Sequence, residues 1–158
     1  GGGSTFILTI PYKPAGDHTP DIIKNNTENP KEDNTKTILV AEDEEMNYLY
    51  LEALFEDEIE IKCNLIHATN GKQAIDICQE NQDIDLVLMD IKMPVMNGNE
   101  ATQKIKKAFP DLPVIAQTAY STESEIAEAM KHGYDGFMSK PLEKNRLFEM
   151  INKFVKIK

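Results

Sequence analysis

The stretch that decides the fold is Leu86-Val87-Leu88-Met89-Asp90, four apolar residues followed directly by an acidic one. A continuous apolar run is typical of a strand that is covered on both faces, as in a parallel sheet. We expect this strand to begin near Ile84 and to present Asp90 at its carboxyl end. The next helix is predicted only from about Asn99, so Asp90 has no nearby helix to cap.

The same alternation of apolar strands and amphipathic helices continues on both sides of this strand. Two more continuous apolar runs, 37–41 and 113–117, predict covered strands, and a short strand is predicted at 136–138. The segment 61–65 alternates apolar and polar residues, which predicts a strand with one polar face at an edge of the sheet.

Apolar residues at helical spacing predict five helices, each following a strand. The positions expected to be buried are Met46, Leu49, Tyr50 and Ala53 in the first helix; Ala74, Ile75 and Cys78 in the second; Ala101, Ile105 and Ala108 in the third; Ile126, Ala129 and Met130 in the fourth; and Leu147, Met150, Ile151 and Phe154 in the fifth. Five strands alternating with five helices indicate an α/β protein with a parallel sheet. An edge position for the second strand fits the doubly wound order 2-1-3-4-5.

Composition restricts the classes of function. The 158 residues include 17 Lys or Arg and 27 Asp or Glu, a net charge of −10. Such an acidic chain lacks the basic footprint of sequence-independent nucleic-acid binding, and its charge argues against docking on anionic membranes. It contains no apolar run long enough to span a membrane and no signal peptide. Cys63 and Cys78 have no CxxC spacing, which indicates reduced, buried thiols of a cytoplasmic protein.

The predicted domain begins at Thr37. The segment 13–36 has few large apolar residues and contains Pro14, Pro20 and Pro30. Such a segment buries too little apolar surface to offset the entropy lost on ordering, so we interpret it as a flexible linker.

Polar side chains follow four of the predicted strands at their carboxyl ends. These side chains are Glu42 and Asp43, Asp90, Thr118 and Lys140. In a doubly wound sheet the carboxyl ends of the strands meet at one edge, where binding sites form. The sequence therefore predicts a cluster of three carboxylates, one hydroxyl and one ammonium.

The chemistry of this cluster indicates a magnesium site. Three carboxylates close together repel one another, and a hard divalent cation with oxygen ligands removes that conflict. Asp90 could then act as a nucleophile that forms an acyl phosphate, with Lys140 neutralising charge and Thr118 donating a hydrogen bond to a phosphoryl oxygen. The structural alternative is that Glu42 and Asp43 only cap the following helix.

The stretch from Thr37 to about Val155 resembles the receiver domains of two-component response regulators. The resemblance rests on four motifs in order: the acidic pair in 38–43, the D-x-x-M-P-x-x-x-G pattern in 86–98, the hydroxyl residue in 114–119 and the lysine segment 133–141. It implies a doubly wound (βα)5 flavodoxin-like three-layer sandwich, with the receiver domain at 37–158.

The resemblance also implies a role for each site residue. Asp90 would accept a phosphoryl group from a phosphohistidine of a histidine kinase, and the phosphoryl group could pass on to a histidine phosphotransfer protein. Asp43, Glu42, Asp90 and the carbonyl of Lys92 would hold Mg²⁺, and Lys140 would pair with the phosphoryl group. Thr118 and Phe137 would act as the switch that alters the face formed by helix four, strand five and helix five.

Three departures from the common pattern of the family stand out. Glu42 occupies a position where Asp is more common, and Phe137 one where some members have Tyr. Lys92 and Tyr120 occupy variable positions that, in this family, influence the lifetime of the phosphoryl group.

The first residues, 1–12, resemble the last hairpin of histidine kinase ATP-binding domains, through the pattern G-x-G-S-x-F followed by an alternating strand and Pro11. This resemblance implies that the chain is the C-terminal piece of a hybrid histidine kinase, on the cytosolic side of a membrane-anchored parent. A Gly-Ser expression linker is the other interpretation. The fragment itself would catalyse only its own phosphorylation and dephosphorylation.

Two other functions stay open. The domain could be a docking module that regulates its attached kinase without relaying phosphate, although the complete acidic and lysine set argues against that. It could also be an enzyme on the same fold. A flavin carrier is disfavoured because the acidic run 42–45 would repel phosphate, and an aspartyl phosphatase because Lys92 stands where a second aspartate is wanted.

Overall fold

A computed structural model of the chain describes residues 35–57, 62–119 and 122–155. Strands and helices alternate strictly along these residues. The elements are β1 (Lys36–Ala41), α1 (Glu45–Asp57), β2 (Cys63–Ala68), α2 (Gly71–Glu80), β3 (Leu86–Asp90), α3 (Gly98–Ala108), β4 (Val114–Thr118), α4 (Glu123–Lys131), β5 (Gly136–Ser139) and α5 (Lys144–Phe154).

The five strands form one parallel sheet in the order β2-β1-β3-β4-β5, which confirms the predicted doubly wound topology. β1 and β3 lie in the interior, where both faces are covered, and every residue of β3 is buried. β2 lies at an edge, as its alternating sequence predicted. It ends at Ala68, three residues later than expected, because β1 pairs with it along six residues.

Two apolar clusters cover the two faces of the sheet and make three layers. On one face, strand residues such as Ile38, Leu88 and Ile115 pack with side chains from α1 and α5. On the other face, Val87 and Ala116 belong to a cluster that includes residues of α2, α3 and α4. The strand side chains alternate between the two clusters, as the two-residue period of a strand requires.

The predicted buried face of α1 is wrong. Met46 is 75% exposed, and Leu49, Tyr50 and Ala53 are also exposed. The buried side chains are instead Leu51, Leu54 and Phe55, which pack in the cluster shared with α5. The helix carries two apolar stripes at helical spacing, and the sheet covers the second one.

The other predicted core positions are buried or partly buried, with two exceptions. Ala101 and Ile105 of α3 are buried, but Ala108 is exposed at the last turn. In α4, Ala129 is buried while Met130 is half exposed. Both exceptions lie at the end of their helix, where the helix extends past the sheet that it covers.

The N-terminal predictions concern residues that the structure does not describe. The kinase remnant at 1–12 and nearly all of the linker at 13–36 lie outside the described residues. Lys36 already belongs to β1, so the domain begins one residue earlier than expected. None of the helices in the part of the chain that is described has both the length and the apolar character of a membrane span.

Candidate functional site

The carboxyl edge of the sheet brings together the three predicted carboxylates. Glu42 follows β1 directly, Asp43 precedes α1, and Asp90 is the last residue of β3. One carboxylate oxygen from each of these residues lies within 4.8 Å of the other two. Glu42 and Asp90 are buried, whereas Asp43 is exposed. The cluster is therefore open to solvent on the side of Asp43.

Lys140 neutralises part of this negative charge. Its Nζ donates to Glu42 Oε2 at 2.6 Å and to Asp90 Oδ2 at 2.5 Å. Burial alone would lower the pKa of Lys140, but the hydrogen bonds and charges of Asp90 and Glu42 outweigh it and raise the pKa. The side chain consequently stays an ammonium at neutral pH. Lys140 therefore lies with two of the three carboxylates at this edge of the sheet.

Glu42 is held by groups on two other elements, α1 and β2. Its Oε1 accepts a hydrogen bond from Asn47 Nδ2 of α1 at 3.0 Å, and its backbone N–H donates to the carbonyl of Ala68 at 2.9 Å. Its carbonyl accepts from His67 Nε2 at 2.8 Å. Because a carbonyl only accepts, His67 must carry its hydrogen on Nε2 here. The ring of Tyr48 stacks on this imidazole, with 3.8 Å between the ring centroids.

The loop between β3 and α3 shapes the surroundings of Asp90. The backbone N–H of Lys92 donates to Asp90 Oδ1 at 3.1 Å, so Lys92 lies beside the carboxylate. Further along, Met96 N donates to the carbonyl of Pro94 at 2.7 Å across Val95, whose φ is 67°. This arrangement is a γ-turn of the strained type, which β-branched residues rarely adopt.

Gly98 makes this loop possible. A Cβ atom built on Gly98 would lie 2.1 Å from the carbonyl oxygen of Asp90, which is closer than any real contact. The backbone N–H of Gly98 also donates to the carbonyl of Ile91 at 2.9 Å. The final glycine of the D-x-x-M-P-x-x-x-G pattern is thus required because the start of α3 touches the backbone of Asp90.

Thr118 and Phe137 lie on the two strands beyond β3. Thr118 ends β4, one position after Gln117, which pairs with Asp90 in the sheet register. The carbonyl of Thr118 accepts from the backbone N–H of Lys140 at 2.7 Å, so the two predicted site residues are joined through the backbone. Phe137 is partly buried in β5 and packs against the cluster of α2, α3 and α4. The roles of both residues as a switch stay predictions.

Sequence reasoning missed four residues of this site. Asn47, His67 and Gln117 bind or adjoin the acidic cluster, and Gly98 was noted only as part of a motif. Asn47 lies five residues after Glu42, a spacing that could have pointed to a helix capping the acidic turn. No local signal in the sequence points to His67, because its contact depends on the pairing of β2 with β1. Tyr120 lies outside the described residues.

The donor set fits a magnesium ion. Mg²⁺ takes oxygen ligands, keeps several waters and needs only one or two protein carboxylates. The cluster supplies three carboxylates, of which Asp43 is exposed and makes no ion pair with the described lysines. A single ammonium from Lys140 leaves a surplus of negative charge that a divalent cation would neutralise.

Comparison with known proteins places the chain in a family. Residues 38–152 match the family described as "Response regulator receiver domain". The chain is 35% identical over 117 residues to the chemotaxis protein CheY of Halobacterium salinarum, with 74% of this chain and 94% of CheY covered. It is 31% identical over 119 residues to the autoinducer 1 sensor kinase/phosphatase LuxN of Vibrio harveyi, with 75% of this chain covered and only 13% of LuxN.

A solved structure shows the same fold. The crystal structure of a CheX-CheY-BeF3-Mg²⁺ complex from Borrelia burgdorferi superposes with a TM-score of 0.68 at 26% identity. The superposition covers 77% of this chain and 90% of that chain. The neighbours therefore share the five-stranded receiver fold, and that CheY structure was determined with magnesium.

Proposed function

This chain belongs to the response regulator receiver family, and from that premise we propose that Asp90 accepts a phosphoryl group from a phosphohistidine. The observation that carries the proposal is the position of Asp90. It is buried at the carboxyl end of β3, beside two further carboxylates and in contact with Lys140. A carboxylate so surrounded by charge-neutralising groups is suited to phosphoryl transfer, which depends on positioning and electrostatic stabilisation.

The transfer step is a substitution at phosphorus. An oxygen of Asp90 attacks the phosphorus atom, and the P–N bond of the phosphohistidine breaks. The electron pair of that bond stays on the imidazole nitrogen, which takes up a proton, while Asp90 becomes an acyl phosphate. Lys140 already contacts Asp90 Oδ2, so its ammonium is close enough to pair with the phosphoryl oxygens once they are attached to Asp90.

We propose that Glu42, Asp43 and Asp90 hold Mg²⁺, with the carbonyl of Lys92 as a further ligand. When bound, the ion would neutralise charge that develops on the phosphoryl oxygens. Both carboxylate oxygens of Glu42 already accept hydrogen bonds, one from Asn47 and one from Lys140. Metal binding by Glu42, directly or through water, must therefore compete with these two donors.

The partner domain would dock on apolar side chains beside the site. Met46, Leu49 and Tyr50 are exposed on α1, which begins just after Asp43, and Val95 is 81% exposed on the loop after Asp90. Exposed apolar side chains gathered around an active site indicate a protein interface. We propose that the donor histidine domain, and a downstream phosphotransfer protein, use this docking surface.

Docking and chemistry can be separated by the choice of donor. Met46→Ser should slow phosphorylation by a phosphohistidine domain, yet leave phosphorylation by acetyl phosphate unchanged, because the small donor does not use the surface. Met130→Ser changes an equally flexible, half-exposed side chain on α4 and should leave both rates unchanged. Equal rates for Met46→Ser and wild type with the protein donor would reject this docking surface.

Phosphorylation would then alter the face formed by α4, β5 and α5. Thr118 is joined to Lys140 through the backbone, and Phe137 packs against the apolar cluster that contains Ala129 of α4. A local change of charge at Asp90 can bias such a packed element between two arrangements. We propose that Thr118 and Phe137 transmit this change as the switch residues.

We propose that the chain is part of a hybrid histidine kinase, in the cytoplasm. The match to 13% of LuxN is a receiver segment within a much longer sensor kinase, and residues 1–12 resemble the end of a kinase ATP-binding domain. The docking-module alternative, in which the receiver regulates its kinase without taking phosphate, makes the opposite prediction for Asp90.

The test is phosphorylation by acetyl phosphate with Mg²⁺, followed by intact mass. Wild type should gain one phosphoryl group in a metal-dependent manner, and Asp90→Ala should gain none. Asp111→Asn, an exposed acid on the loop after α3, is the matched control and should behave as wild type. If neither acetyl phosphate nor a cognate kinase core modifies the wild type, the docking-module alternative replaces the relay.

A further inference from the structure

Gln117 is a buried polar side chain that the proposed phosphoryl transfer does not explain. It lies in β4, pairs with Asp90 in the sheet register, and is fully buried. Among the described residues, neither Oε1 nor Nε2 of its carboxamide has a hydrogen-bond partner. Burying an amide without partners is destabilising, so native proteins satisfy such groups with protein atoms or ordered water.

A small cavity adjoins this carboxamide. It has a volume of about 80 Å³ and is lined by Gln117 together with polar residues Glu42, Asn47, Tyr50 and Lys140. Ile115, two residues earlier in β4, packs on the same face as Leu51, which also lines the cavity. The two-residue period of a strand therefore directs the side chain of Gln117 toward this cavity.

The cavity suits water better than any larger ligand. A water molecule occupies about 30 Å³ in the liquid and needs two to four polar partners when buried. The cavity has room for at least two waters, and its polar lining supplies the partners. Tyr50 lines it from α1, and its hydroxyl donates to the carbonyl of Leu142 at 3.1 Å.

Lys140 lines the same cavity, and one N–H of its ammonium group donates to neither Glu42 nor Asp90. An ammonium group has three N–H donors, and two of them point to Glu42 and Asp90. Lys140 and Gln117 both line the cavity, so one water between them would accept from Nζ and donate to Oε1. Such a bridge would satisfy the two groups together.

We propose that this cavity is an ordered-water site and that Gln117 is a positioning residue, which holds Lys140 against Asp90 through the water. This inference rests on the proposed function for the role of Lys140, but the water site itself does not. When Lys140 shifts its contacts toward a phosphoryl group, the bridge to Gln117 limits where its ammonium can go. Gln117 thereby helps to set the rate at which Asp90 is phosphorylated.

The direct test is a crystal structure of the full chain at a resolution that shows ordered water. The inference expects water density within hydrogen-bond distance of both Gln117 and Lys140. A dry cavity, or a carboxamide that bonds directly to protein, would overturn it. This result is independent of whether the protein accepts a phosphoryl group.

The kinetic test uses Gln117→Met, which keeps the length of the side chain and removes its hydrogen bonds. We expect about fivefold slower phosphorylation by acetyl phosphate at saturating Mg²⁺, the effect of losing roughly one hydrogen bond. The Mg²⁺ dissociation constant should stay unchanged, because the carboxylates are intact. Gln79→Met, on the exposed surface of α2, is the matched control and should keep both values.

Comparing the phosphorylation rate with the Mg²⁺ affinity of Gln117→Met distinguishes a positioning role from a loss of folded structure. A variant that only loosened the domain would weaken Mg²⁺ binding as well as slow the reaction. An unchanged rate, or equal losses of rate and metal affinity, would reject the positioning role. If wild type takes no phosphoryl group at all, the proposed function fails, while the crystal structure still decides the water site.

Discussion

At the scale of single residues, backbone contacts as well as charges constrain Asp90. Gly98 approaches the carbonyl oxygen of Asp90 so closely that no side chain fits, and Lys92 donates its backbone N–H to the carboxylate. Asp90 is therefore fixed from the loop side as well as by Lys140. The close approach of Gly98 explains why the family pattern D-x-x-M-P-x-x-x-G ends in a glycine.

Gly98→Ala should displace the backbone of Asp90 and slow phosphorylation by acetyl phosphate by about 100-fold, since a misplacement of about 1 Å has that order of effect. Overpacking should also lower the free energy of unfolding by about 1–3 kcal/mol. Rates are measured by intact mass, and stability by urea titration.

Gly133→Ala is the matched control for this change. Gly133 has a φ of +94°, so an alanine there is strained, but its built Cβ meets only the side chain of Lys106. It should lose stability and keep the phosphorylation rate of wild type. If Gly98→Ala phosphorylates as fast as Gly133→Ala, the close approach to Asp90 does not position the carboxylate.

Val95, next to the site, has a strained backbone conformation. Its φ of 67° suits asparagine better than a β-branched residue, and its side chain is 81% exposed. Val95→Asn should therefore raise the free energy of unfolding by about 1 kcal/mol. Val95→Ile keeps the β-branch and should match wild type in the same urea titration. A less stable Val95→Asn would show that the γ-turn carries no strain.

At the scale of elements, α1 has two apolar stripes, one buried against the sheet and one exposed. Its inner stripe of Leu51, Leu54 and Phe55 packs on the sheet, and its outer stripe includes exposed Met46, Leu49 and Tyr50. The sequence could not say which stripe faces inward, because both have helical spacing and both are apolar. Exposed apolar side chains gathered in one patch are a sign of an interaction surface.

Leu51→Ala should lower the free energy of unfolding by about 2–5 kcal/mol, the usual cost of truncating a buried leucine. Met46→Ala on the outer stripe should change it by less than about 0.5 kcal/mol. Both are measured by urea titration at fixed pH. Similar losses for the two variants would contradict the orientation that the structure gives to α1.

At the scale of the whole molecule, the sequence predicted the topology and most of the site. Continuous apolar strands identify a parallel sheet, and the carboxyl ends of parallel strands lie at one edge. The sequence alone therefore predicts that Glu42, Asp90 and Lys140 lie close together. Contacts that depend on three-dimensional packing could not be predicted. His67 reaches Glu42 from the neighbouring strand, and Gln117 faces a cavity lined by α1, β4 and the segments that follow β1 and β5.

Magnesium should stabilise the whole domain. A ligand that binds only the folded state at 100 times its dissociation constant adds about 2.7 kcal/mol. Mg²⁺ should therefore raise the unfolding temperature of wild type, and removing it with a chelator should reverse the rise. Asp43→Asn removes the exposed carboxylate of the cluster and should lose most of the effect, whereas Asp111→Asn should keep it. Equal rises in all three proteins would mean that the ion binds elsewhere.

Trapping the acyl phosphate identifies the residue that carries the phosphoryl group, which we expect to be Asp90. Borohydride reduces an aspartyl phosphate to homoserine, so the modified position can be read from the masses of peptides. After acetyl phosphate, Mg²⁺ and borohydride, we predict homoserine at position 90 and an unmodified Asp43. Homoserine at another aspartate, or no homoserine in a protein that had gained a phosphoryl group, would show that Asp90 is not the acceptor.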